Sequence, residues 1–225
     1  MFKKILLIVV LNILFFVNIY SSAKYTFRET LPVATLDTGG NYYLITYTER
    51  NDATKKIEKV YKDEEHDKDG SILKDWIMNK RTTIETIKIE DKSGDIEDLS
   101  YLFGGSSEIM VCLYLTKIDL SNFNTENVTN MTFMFYDCVR LVELDISNLN
   151  TSKVEDMSYM FFYCSSIEKL DLKSFDTNKV NNMDYMFCRC SKLKEVQVSN
   201  KWNDTNASKI SMFKNSGVFS VTRYN

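Results

Sequence analysis

The sequence predicts an α/β solenoid: a right-handed coil with a parallel sheet on one face and short helices on the other, in about five coils of period 26. Three observations predict it. The stretches MFYDC, MFFYC and MFCRC begin at Met134, Met160 and Met186, a constant step of 26 residues. Cys112, Cys138, Cys164 and Cys190 fall in one column at the same step. Around each cysteine the apolar residues recur in the same places. A catalytic centre needs one copy of each group, so repetition of this kind points to architecture.

The elements follow in chain order. Lys3 and Lys4 precede an apolar run from Ile5 to Tyr20, and the small residues Ser21, Ser22 and Ala23 follow it. This is the pattern of a secretory leader over residues 1–23, and the run is shorter than the ~20 residues of a spanning helix. Residues 24–70 lack the repeat. Here NYYLITYTE and KKIEKVY read as the two strands of a hairpin, and KDEEHDKDG reads as a charged linker. Residues 71–83 contain ILKDWIMNK, an amphipathic segment expected to form a helix capping the first repeat.

From residue 84 to 225 the rows align. Leu115, Leu141, Ile167 and Leu193 stand three places after the cysteine column. Ile118, Leu144, Leu170 and Val196 come next, then Leu120, Ile146, Leu172 and Val198. Each row thus carries L-x-x-L-x-L, the strand part of a leucine-rich-repeat-like unit. IETIKI, from Ile84 to Ile89, is an earlier row without the cysteine. In the other half of each row, Val128, Met131, Met134 and Phe135 recur 26 and 52 residues later, at steps of three and four. That spacing predicts one face of a short helix or 3₁₀ turn. Asp98, Asn130, Asp156, Asn182 and Ser208 precede the stripe and are expected as N-caps. At the far end the cysteine column holds Ser216, and VFSVTRYN reads as a degenerate closing repeat.

Composition narrows the function classes. The chain has 225 residues, 44% of them hydrophobic, one Pro and seven Gly, enough apolar content for a packed domain. A formal charge of -3 with no basic stripe argues against nucleic acid as a partner. His66 is the only histidine and sits in the charged linker, and no Gly-rich phosphate loop occurs. No catalytic residues, cofactor or metal site are expected, and the chain reads as a non-enzyme. Export would place five cysteines in an oxidising compartment, yet the count is odd and stacked columns hold their Cβ atoms too far apart for easy bridging. Buried, unpaired thiols are expected. Cys188, outside the column, is either a reactive thiol or a cysteine of no consequence at the solvent edge.

The combined motif MF-x-x-C-x-x-L-x-x-L-D-L-S-N-F-x-T, followed by V-x-x-M-x-x-MF, resembles the BspA-like leucine-rich-repeat surface proteins over about residues 84–220. The resemblance implies a secreted or surface-exposed recognition or adhesion module. Its expected partners are host matrix or cell-surface proteins, or another microbial surface protein. Contact with a membrane is expected only through the leader. A structural spacer or self-assembling surface component is the alternative.

The outward strand positions are the candidate binding residues. One column reads Lys117, Glu143, Lys169, Glu195, and the other Asp119, Asp145, Asp171 and then Gln197. Alternating charge in the first column attracts between neighbours, whereas three stacked carboxylates repel and could meet basic ligand groups. A solvated polar face with its charges offset by neighbouring lysines is the competing reading.

Overall fold

The structure, a computed structural model, describes residues 42–62, 67–105, 112 and 114–224. The leader expected over 1–23, residues 24–41 and His66 lie outside the described residues.

Two antiparallel strands open the described chain, β1 (Tyr42–Glu49) and β2 (Asp52–Tyr61). Alternation drives β1: Tyr43, Ile45 and Tyr47 are buried while the residues between them reach solvent. Helix α1 (Ser71–Lys80) follows and buries Leu73, Trp76 and Ile77. The Trp76 ring meets Tyr47 edge-on at 5.2 Å, and its indole N–H donates to Glu58 at 2.9 Å. Asp67 starts the helix by accepting the amides of Ile72 and Leu73 at 3.1 and 3.2 Å.

Strand β3 (Ile84–Asp91) pairs antiparallel with β1 and parallel with β4 (Lys117–Phe123), which pairs parallel with β5 (Glu143–Asp145). The resulting five-stranded sheet is mixed, in the order β2-β1-β3-β4-β5. A second, three-stranded parallel sheet holds β6 (Lys169–Leu172), β7 (Glu195–Val198) and β8 (Thr222–Arg223). The step of 26 is the pairing register: Lys117 faces Glu143, and Lys169 faces Glu195.

The expectation of an α/β solenoid, a leucine-rich-repeat-like right-handed coil with short helices opposite one parallel sheet, is corrected by these elements. The chain is a β-rich domain with a mixed sheet and a separate small parallel sheet. Among the described residues α1 is the only helix, and it precedes the repeated rows. The physical reason lies in the aromatic residues. Phe133, Tyr159 and Tyr185 have φ of 58°, 56° and 57°, and Asp137, Tyr163 and Arg189 have φ of 61°, 59° and 62°. Two left-handed residues per row stop any right-handed helix from propagating.

Overlapping turns replace the helices. Met134, Tyr136 and Cys138 donate their amides to Met131, Phe133 and Phe135, three residues back in each case. The step of three puts Met131, Met134, Phe135 and Cys138 on the buried side without a helix. The intervening amides cross to the next row: those of Met131, Phe133, Phe135 and Asp137 reach the carbonyls of Asp156, Ser158, Met160 and Phe162 at 2.8–3.1 Å. Inter-row bonds therefore hold the strained backbone in place.

Side chains stack along the same direction. Phe103, Phe135, Phe161, Phe187 and Phe213 form a column with ring centroids 5.3–5.7 Å apart. A half-exposed column of Tyr101, Phe133, Tyr159 and Tyr185 runs beside it at 4.6–4.8 Å. All five cysteines are free and buried. The column thiols point at carbonyls one row back, Cys164 at Phe135 (3.2 Å) and Cys190 at Phe161 (2.9 Å). Cys188 is only 3% exposed, so it does not stand at the solvent edge.

Candidate functional site

The seven outward residues on the strands are divided between the two sheets. Lys117, Asp119, Glu143 and Asp145 lie on the five-stranded sheet, whereas Lys169, Asp171 and Glu195 lie on the three-stranded one. Strands β5 and β6 are not paired as neighbours in either sheet. Within each group the charges meet across the strands. Lys117 Nζ lies 2.6 Å from Glu143 Oε2, and Lys169 Nζ lies 3.0 Å from Glu195 Oε2. The hydrogen bond that Lys117 donates to the Glu143 carboxylate raises the Lys117 pKa. The Tyr224 hydroxyl, Gln197 and Lys169 together hold the Glu195 carboxyl at about 2.

The aspartates are engaged with their own backbone. Asp119 Oδ1 accepts the Ser121 amide at 2.9 Å and its hydroxyl at 2.6 Å. Asp145 Oδ1 does the same with Ser147 at 3.1 and 2.7 Å. Asp171 Oδ1 takes the Lys173 amide at 3.1 Å while Oδ2 pairs with the Lys173 ammonium at 2.8 Å. Each carboxylate closes an Asx turn, Asp145 and Asp171 near the ends of their strands and Asp119 within β4, where the pairing register with β3 shifts. Burial opposes ionisation of Asp119, but the Ser121 hydroxyl and amide and the nearby Lys88 and Lys117 outweigh it and lower the pKa. One oxygen of each of these aspartates is thus occupied by structure.

A shallow depression of about 260 Å³ gathers part of the predicted set. Strand β4 contributes Lys117 and Asp119, β3 contributes Thr86 and Lys88, β1 contributes Thr46 and Thr48, and Lys55 reaches in from β2. The register places Thr86 beside Lys117 and Lys88 beside Asp119. The hydroxyls of Thr48 and Thr86 are hydrogen-bonded at 2.8 Å. Lys88 Nζ pairs with Glu90 at 2.9 Å, which raises its pKa. Three ammonium groups, one half-committed carboxylate and three threonine hydroxyls make a polar recognition surface. Among the described residues no group of three or more His, Cys, Asp or Glu side chains is placed to hold a metal ion.

The sequence pattern did not single out Thr46, Thr48, Lys55, Thr86 or Lys88. The usable signal was the alternation in YYLITYTE and IETIKIED: once one face is buried, the intervening Thr and Lys residues must share the other. The Asp-x-Ser spacing in DLS and DIS was the available sign that the aspartates close turns.

A family model described as "Mycoplasma protein of unknown function, DUF285" matches residues 97–224. That span is more than half of the chain, and the chain belongs to this family. No curated protein and no solved structure matches it.

Proposed function

We propose that this DUF285 protein is a non-enzymatic recognition module that binds a macromolecular partner through the outward face of its five-stranded sheet. One observation carries the reading. The hairpin strands and the first row strands join in a single sheet, so Lys55, Lys88, Lys117 and Asp119 converge with three threonine hydroxyls on one rigid depression. Polar groups fixed on paired strands lose little freedom on binding, which favours recognition of a surface. A partner protein of host matrix, host cell surface or another microbial surface is the reading that the BspA-like resemblance supports. Export rests on the pattern of the first 23 residues. Among the described residues no helix is long and apolar enough to cross a membrane.

The test is a titration of the purified chain against immobilised matrix proteins, cell-surface proteins and glycans, alongside Lys88→Ala/Lys117→Ala. Saturable binding weakened by about tenfold or more in the variant supports the reading. Binding that the variant leaves unchanged moves the site elsewhere. Silence across the panel together with self-association in light scattering supports the spacer or self-assembling role instead.

A further inference from the structure

Lys62 and Asp91 bring opposite charges into the interior, and both side chains are 0% exposed. Lys62 follows β2 directly, Asp91 ends β3, and β1 runs between those two strands in the sheet. Lys62 Nζ lies 2.9 Å from Asp91 Oδ1 and 3.0 Å from Oδ2, nearly equidistant from the two oxygens on Cγ. The Tyr43 ring covers the pair, its centroid 4.6 Å from Nζ, and its hydroxyl donates to Asp67 at 2.9 Å.

Two more groups reach the same atoms. Ser93 Oγ accepts a hydrogen bond from Lys62 Nζ and donates to Asp91 Oδ1 at 2.8 Å. The Ser93 amide donates to the same oxygen at 3.1 Å. Asp95 Oδ2 stands 3.9 Å from Nζ, on a side chain that is 29% exposed. An amine, a carboxyl carbon, a hydroxyl that joins them and a second carboxylate are the parts of an acyl condensation. Taking two ions out of water can cost more than their attraction returns, whereas a neutral amide in the same place buries no charge. Holding an amine against a carboxyl group gives an effective concentration on the order of 10⁵ M or more, and a dry site keeps water from reversing the reaction.

We propose that the Lys62 and Asp91 side chains condense in the folded chain to an isopeptide bond between Nζ and Cγ, with release of one water. A proton passes from the Nζ ammonium through the Ser93 hydroxyl to Asp91 Oδ1, which leaves a neutral amine beside a neutral acid. The Nζ lone pair attacks Cγ and gives a tetrahedral carbon. Asp95 takes a second proton from Nζ, the proton is passed to Oδ1, the Cγ–Oδ1 bond breaks and water departs. Lys62 supplies both hydrogens of that water and Asp91 its oxygen, so no oxidant or cofactor enters. The bond ties β2 to β3 across β1 and locks the hairpin onto the strand of the earliest row. It is independent of the recognition reading.

The test is mass spectrometry of the purified full chain after denaturation and digestion with trypsin. The peptides holding Lys62 and Asp91 should appear as one species, lighter than their sum by one water. Lys117 and Glu143, 2.6 Å apart but 52% and 65% exposed, are the internal control and should stay unjoined. Asp91→Asn should give the same bond with loss of ammonia in place of water, which separates condensation from dehydration at a lone aspartate. In freshly synthesised chain, Ser93→Ala and Asp95→Asn should each slow the joining by about tenfold or more, with circular dichroism checking that both variants fold. Separate Lys62 and Asp91 peptides from the parent chain would overturn the inference and leave an ion pair only. Joining at the parent rate in both variants would overturn the assigned proton path.

Discussion

Thr151 and Asp176 are joined twice: Thr151 Oγ1 donates to the Asp176 carbonyl at 2.9 Å and accepts the Asp176 amide at 2.8 Å. Thr125 binds Asn150 in the same way, and Thr177 binds Asn203. All three threonines are 1% exposed. Thr151→Val keeps the shape and removes both bonds, stranding an N–H and a carbonyl. It should lower stability by about 2–3 kcal/mol, and Thr151→Ser should recover most of that, as read from urea unfolding.

The buried thiols make a prediction at alkaline pH. Burial pushes Cys112 and Cys190 up to about 12, and Cys138 and Cys164 well above their ordinary value. A thiol whose folded pKa is raised contributes stability below its unfolded pKa and loses that contribution as pH rises toward the folded value. Unfolding free energy should therefore fall from about pH 8.5 upward, the unfolded thiol value. A disulfide-exchange reagent at neutral pH should label the native column slowly and label all five cysteines only on denaturation. Rapid native labelling of the column would contradict the packing.

The left-handed positions are testable at Arg189, which is exposed and has φ of 62°. A glycine accepts this conformation without strain but frees the unfolded chain, so Arg189→Gly should leave stability within about 0.5 kcal/mol of the parent. A β-branched residue resists it, and Arg189→Val should cost about 1–2 kcal/mol. Equal thermal midpoints for the two variants would show that the row turns are not held as described.

Asp119 separates turn closure from recognition. Asp119→Ala loses the acceptor for Ser121 and should cost about 1 kcal/mol, while Asp119→Asn keeps an oxygen there and should cost less. Because the folded pKa of Asp119 is lowered, its ionisation contributes stability above the unfolded value near ~3.9 and loses it as pH falls through the folded one. The Asn variant should show a shallower loss of stability in acid than the parent.

Residue spacing carried much of the organisation but not the local conformation. The interval of 26 between cysteines is also the pairing interval of Lys117 with Glu143, and the Met and Phe stripe is the buried stripe. The conformation behind that stripe was not legible, because steps of three arise equally from a helix and from overlapping turns. What distinguishes them is the φ of Phe133 or Tyr159, and aromatic residues rarely take the left-handed value they hold here. For the same reason the expected caps at Asn130 and Asp156 close Asx turns with Thr132 and Ser158, with no helix behind them. The depression needed the antiparallel pairing of Tyr47 with Ile87, a contact across 40 residues that periodicity within rows does not encode.

Amide hydrogen exchange of the chain with and without a partner bound from the panel tests the recognition reading most directly. Protection should appear in β1, β3 and β4, around Thr46–Thr48, Thr86–Lys88 and Lys117–Ser121, with the turn rows near Phe133 and Tyr159 unchanged. Protection confined to those turn rows, with the three strands exchanging as in the free chain, would contradict recognition through the sheet face.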